Sequence, residues 1–144
     1  MKRKNKKKKQ REPLVDSHIN GLSVSVIERH RSAFRKFLGS GRSGIYVLRK
    51  NREIYYVGLA SSLRVRLPQH LKDHLKGKWD EFDMYVIRKG KVKYIPELEA
   101  LLIRVAKPDG NKAEPKFARH NNVTKKFRKA LVEEVDELFL SASM

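Results

Sequence analysis

The residues best able to do chemistry begin with two tyrosines. Tyr46 and Tyr56 lie ten positions apart, in the short runs Gly44-Ile45-Tyr46 and Tyr56-Val57-Gly58. If the runs pair as antiparallel strands, both phenols fall near each other on one face and can position or deprotonate a water. Tyrosine is also a favoured strand residue, so the pair alone reads more readily as packing. Arg66, His70 and His74 follow at successive i, i+4 spacing, one face of a regular helix. A guanidinium there can hold a phosphate bidentately and a histidine can carry a proton. With Arg64, Lys72 and Lys76 nearby, the plain alternative is a solvated basic face. Two helical histidines hint at zinc, but no third ligand stands at a characteristic spacing.

Glu99 differs from the other acids, because Ala100-Leu101-Leu102-Ile103 places it on a mostly apolar helix. A carboxylate there needs a partner, either a hard divalent cation or one of the many basic side chains. The salt bridge is the commoner solution. Asn111 follows the turn Pro108-Asp109-Gly110, where asparagine usually supports loop geometry.

These residues need elements to hold them. Val26, Arg29, His30, Ala33, Phe37 and Leu38 recur at helical spacing, predicting one helix over about 24–38 that Gly39-Ser40-Gly41 ends. Gly44 to Leu48 and Ile54 to Leu59 read as a hairpin across a polar link. Ser61 or Ser62 opens a helix reaching about Leu75, and 79–87 reads as a third strand. Pro96 suits a helix start, followed by the stripe Leu98, Leu101, Leu102 and Val105. A last helix over about 124–140 carries Phe127, Leu131, Val135 and Leu138 on one face. The expected fold is α+β, a small three-stranded antiparallel sheet flanked by helices, with extra N- and C-terminal helices.

Composition narrows the partner. The chain has 144 residues, no cysteine and a net charge of +18. Thiol catalysis, disulfides and cysteine-ligated zinc are excluded. Eight of the 34 basic residues, Lys2, Arg3, Lys4, Lys6, Lys7, Lys8, Lys9 and Arg11, sit in the first eleven positions, yet 26 remain against 16 acids. The body is therefore basic without its tail. Nucleic acid is the expected partner, since no amphipathic anchor points to a membrane. The basic start lacks the apolar run of a secretory signal, so an intracellular location is expected.

Taken in order, the motifs resemble the GIY-YIG nuclease superfamily, in the form of its small stand-alone members. Gly44-Ile45-Tyr46, Tyr56-Val57-Gly58, Arg66 eight positions after Gly58, His70 four later, and Glu99 twelve before Asn111 carry the resemblance. So do Leu98-Glu99-Ala100-Leu101-Leu102-Ile103-Arg104 and Lys107-Pro108-Asp109-Gly110-Asn111. It implies a nuclease domain over 41–117, preceded by a disordered basic tail (1–13) and a helical extension (14–40). A C-terminal helix (118–144) is expected to pack on the domain.

The resemblance also implies a metal-dependent endonuclease that hydrolyses DNA phosphodiesters with one Mg2+ or Mn2+ per site. Glu99 would hold the metal and Arg66 the phosphate, while Tyr46 activates water with Tyr56 orienting it. His70 would assist proton transfer; Gly44, Gly58, His74 and Asn111 would support the site. Arg64, Lys72 and the basic tail would bind duplex, branched or damaged DNA, with RNA an open alternative. Pro68, between Arg66 and His70, should delay or kink their helix. The alternative function is a module of the same fold that binds DNA or RNA without cutting it. Oligomeric state is open; one site of this size cuts one strand at a time.

Overall fold

Gly44-Ile45-Tyr46-Val47-Leu48 is buried on both sides, as expected of a central strand with helices above and below it. The computed structural model describes residues 11–112, 115, 117 and 122–142. Within them the chain runs β1 (Val15–Ser23), α1 (Val24–Arg29), α2 (Arg31–Leu38), β2 (Gly44–Lys50) and β3 (Glu53–Ala60). It continues through α3 (Leu63–Gln69), β4 (Glu81–Ile87), a 3-10 turn (Lys89–Tyr94), α4 (Ile95–Ala106) and α5 (Thr124–Ala142). The sheet order is β1-β4-β2-β3, with every pair antiparallel.

The sheet has four strands, not the expected three. β1 falls where a helical extension was expected, because Val15-Asp16-Ser17-His18-Ile19-Asn20-Gly21-Leu22-Ser23 lacks clean alternation. Two register breaks against β4, at Val15/Ser17 and Ile19/Leu22, scramble its period, and Gly21 takes φ 68° at the second. Buried Asp83 pins this edge, accepting from the Gly21 N–H at 2.7 Å and from Arg49 Nε at 2.8 Å. The expected helix over 24–38 is two helices, broken at His30 (φ −126°, ψ 38°). Ile27, Phe34 and Leu38 form their buried side, while Phe37 is exposed.

Alternation along β2 sends side chains to two cores. Tyr46 and Leu48 join Ile27, Phe34, Leu63, Leu67, Trp79 and Phe82 under α1–α3. Ile45 and Val47 join Val57, Ile87, Ile95 and Ile103 under α4. Asn51 (φ 50°) and Arg52 (φ 69°) form the two-residue β2–β3 loop, both left-handed as a type I′ turn requires.

Two helices depart from expectation. α4 buries Ile95, Ala100 and Ile103, leaving Leu101, Leu102 and Val105 exposed, so its core face is rotated from the expected stripe. α5 was expected to pack on the domain, but none of its residues is buried.

Candidate active site

The β2–β3 register decides how the tyrosines meet. Tyr46 pairs with Gly58 and Leu48 with Tyr56, so the two phenols are diagonal neighbours on one face, ring centroids 6.2 Å apart. Gly58 is where it is because the Tyr46 ring lies over it; a Cβ there would overlap the phenol. Gly44 is equally constrained, since a Cβ would run into the Tyr85 carbonyl on β4. Each glycine therefore lets something approach closely rather than supplying a turn.

Pro68 neither delays nor kinks α3. The helix starts at Leu63 and ends at Gln69, just after the proline. Beyond it the chain tightens into i→i+3 turns, with Leu71 N–H on Pro68 O at 3.1 Å and Lys72 N–H on Gln69 O at 3.0 Å. The helical face expected for Arg66, His70 and His74 is thus broken. His70 is the C-cap and fully buried, whereas His74 lies past the helix end and is exposed. The same tightening turns His70 inward onto the tyrosines.

There His70 Nε2 lies 2.6 Å from the Tyr46 hydroxyl, and its Nδ1 lies 2.7 Å from Asp73 Oδ2. Asp73 is held in turn by the Leu75 N–H on Oδ1 at 2.9 Å, and Trp79 Nε1 donates to the His70 carbonyl at 3.2 Å. Burial lowers the His70 pKa below the ordinary histidine value, against the pull of Asp73. A neutral ring facing a carboxylate carries its proton on Nδ1, which leaves Nε2 to accept from Tyr46. Burial raises the Asp73 carboxyl, but the Leu75 N–H and His70 outweigh it and hold its pKa low. Asp73 is the residue that sequence reasoning missed. Its i+3 spacing from His70 was visible and allows contact in a helix or a turn, but nothing local distinguished it from the other charged residues of the segment.

Tyr46 has no exposed surface, and burial raises its pKa well above the ordinary phenol value, with Tyr56 adding to the rise. The Arg66 guanidinium sits against the same phenol, and this contact raises the arginine's own pKa. Arg66 is otherwise exposed, steadied by Gln69 Oε1 at 3.1 Å, and lines an open groove with Leu59, Ala60, Ser61, Ser62 and Val65. Lys72 is exposed and Arg64 half-buried on the same segment.

Glu99 reaches this wall from the other helix layer. It is half-buried on α4, its carboxylate accepts from the Leu59 N–H, and burial raises its pKa. No ion pair among the described residues includes it, despite the basic composition. Asn111 clamps α4's trailing loop to the sheet edge. Its Oδ1 accepts from the Val57 N–H at 2.9 Å and its Nδ2 donates to the Val57 carbonyl at 2.8 Å. Asn111→Ala leaves the N–H and the carbonyl of buried Val57 without these partners, and is expected to cost about 1–3 kcal/mol in a urea titration.

The structure thus gathers Tyr46, Tyr56, His70 and Arg66 around one phenol, with Glu99 linked to the groove wall through Leu59. His74 stands apart. Arg11 is exposed, and Lys2, Arg3, Lys4, Lys6, Lys7, Lys8 and Lys9 lie outside the described residues. Among the described residues no three acidic or histidine side chains cluster as a metal cage. Glu99 alone fits a hard cation that keeps most of its waters, as magnesium does.

No family model matches the chain, and no curated protein matches it. Among solved structures it is similar to the GIY-YIG N-terminal endonuclease domain of UvrC from Thermotoga maritima. A tyrosine-to-phenylalanine mutant of that domain, bound to its catalytic divalent cation, is 24% identical with a TM-score of 0.46, covering 56% of this chain and 97% of that one. The magnesium-bound domain is 24% identical with a TM-score of 0.44, covering 55% and 96%. These neighbours are domains of the family that the motif order resembles.

Proposed function

We propose that the chain is a divalent-metal-dependent endonuclease acting on DNA phosphodiesters. The observation that carries this reading is the chain of contacts Arg66, Tyr46, His70, Asp73, opening beside a half-buried carboxylate that no ion pair among the described residues includes. A binding protein has no use for a buried phenol aligned on a neutral imidazole. It also gains nothing from stranding an acid next to the surface that meets phosphate.

Arg66 holds the scissile phosphate and offsets the charge that builds on it in the transition state. Leaving Tyr46 for the phosphate, the guanidinium uncovers the phenol oxygen. Tyr46 then accepts a proton from the attacking water while passing its own to His70 Nε2, and Asp73 steadies the imidazolium that forms. The water oxygen bonds to phosphorus as the bond to the leaving oxygen breaks, and that oxygen takes a proton from solvent. Tyr56, half-buried beside Tyr46, orients the water. Glu99 would hold a magnesium or manganese ion, which would supply charge stabilisation at the phosphate and leaving oxygen. The exposed cations provide affinity without sequence readout.

The test is cleavage by purified protein of duplex, branched and damaged DNA and of RNA, with magnesium, manganese or chelator. Metal-dependent nicking of DNA that chelator abolishes is expected. Tight, salt-sensitive binding with no hydrolysis of any substrate would instead establish a binding module.

A further inference from the structure

Lys89, Lys91 and Lys93 stand together outside the site, on the 3-10 turn that joins β4 to α4. Both ends of this turn are fixed, because Ile87 before it and Ile95 after it are buried in one core. At its base Arg88 is taken up by structure. Its N–H donates to the Leu14 carbonyl at 3.0 Å, its Nε donates to the Pro13 carbonyl at 2.9 Å, and its Nη1 lies 3.3 Å from Asp16 Oδ1. The Lys91 N–H then closes the turn on the Arg88 carbonyl at 2.8 Å.

The lysines on this turn are placed, not merely exposed. Lys91 Nζ lies 6.0 Å and Lys93 Nζ 5.2 Å from the centroid of the Tyr94 ring, close enough for the ring to attract both. Lys89 and Lys93 are exposed and Lys91 is half-buried. Glu12 and Glu97 line the same cavity as Lys91 and Tyr94, yet among the described residues no ion pair includes any of the three lysines. Like charges this close repel one another, and an anion with several charges at short spacing relieves the repulsion.

The turn also leaves the same end of the sheet as the groove that Arg66 lines. Gly44 pairs with Ala60 of β3 on one side and with Val86 of β4 on the other. The Ser43 carbonyl accepts from the Ile87 N–H, and the Ser43 hydroxyl donates to the carbonyl of Ser61 in the groove wall. The turn therefore starts two strand spacings, about 10 Å, from the groove. Phosphates of one strand follow at about 3.4 Å along a duplex, so about three nucleotides cover that distance.

We infer that Lys89, Lys91 and Lys93 form a second phosphate-binding site, which takes the DNA backbone about three nucleotides from the phosphate on Arg66. Tyr94 is its positioning residue, holding Lys91 and Lys93. An ammonium group meets phosphate as a point charge and reads no base, so the site supplies register and affinity without sequence preference. A ring that already orders two long side chains reduces the entropy they lose when the backbone binds. The inference rests on the reading of the chain as a nuclease acting on DNA.

The test measures binding and not cleavage, using the full chain and a short duplex in chelator across about 50–200 mM salt. K89A/K91A/K93A is expected to weaken binding by about tenfold or more. It should also flatten the slope of log affinity against log salt by about 2.7, three contacts at about 0.9 each. The charge-matched control is K50A/K76A/K78A, since Lys50 ends β2 and the other two lead into β4, towards the opposite end of the sheet. It is expected to change the slope by less than about one. Tyr94→Ala should weaken binding several-fold, and Tyr94→Phe, which keeps the ring face, should match wild type. A K89A/K91A/K93A protein with the wild-type slope, or equal losses in both triple variants, overturns the inference and leaves the nuclease reading standing. Wild type that binds no DNA overturns both. Anionic phospholipid vesicles that bind wild type and not K89A/K91A/K93A, with DNA binding the same in both, would overturn it in favour of a membrane surface.

Discussion

Glu99→Gln is expected to reduce DNA cleavage on the order of 10^3-fold or more, about 4 kcal/mol of transition-state stabilisation, while leaving DNA affinity near that of wild type. Glutamine keeps an oxygen for the Leu59 N–H and removes only the charge. Stability should respond in the opposite sense. Burial raises the folded pKa of Glu99 above its ordinary value, so its linked stability is full below that ordinary value. It is lost as pH rises through the folded pKa, and at neutral pH the ionised carboxylate works against folding. Metal-free Glu99→Gln should therefore melt no lower than wild type at pH 7. Magnesium should raise the melting temperature of wild type and not of the variant. A variant that cleaves normally, or wild type whose melting ignores magnesium and manganese alike, would remove Glu99 from the metal's coordination. Salt-dependent DNA binding in both proteins serves as the control, because it depends on the basic surface.

What could be read in the sequence follows from how local each signal is. The β2–β3 hairpin was legible because turn and alternation both lie within a dozen residues. The two glycines and two tyrosines could be named from spacing, but not the reason for Gly58, which depends on strand register. β1 was hidden because its pairing partner is some 60 residues away and two bulges erase its period. α4 misled because apolar content alone does not say which side of a helix is covered; Leu101 and Leu102 face outward while Ala100 and Ile103 face in. Proline's effect on α3 was foreseen in kind and not in outcome. Ending the helix, instead of bending it, is what separates His74 from His70 and brings Asp73 under the ring.

The second large effect concerns that ring and its pH dependence. Tyr46→Phe keeps the packing over Gly58 and loses only the hydroxyl, and is expected to slow cleavage by about 10^2–10^4-fold. Wild-type cleavage should fall as pH drops below neutral, because protonated Nε2 no longer accepts from Tyr46. Since burial lowers the His70 pKa, this acid limb lies below the ordinary histidine value. Stability should follow the same group. With its folded pKa depressed, the His70 contribution is full above the ordinary value of 6.5 and is lost as pH falls through the folded pKa. Asp73→Asn separates orientation from simple packing. The carboxylate favours a charged imidazole, so its loss should move the acid limb to still lower pH while the plateau rate drops about 10–100-fold, by analogy with outer-shell partners of histidine. A merely structural Asp73 predicts a changed melting temperature with the acid limb fixed. A limb that stays in place while the rate falls would therefore remove His70 and Asp73 from the proton path, leaving Tyr46 to release its proton to solvent past Arg66.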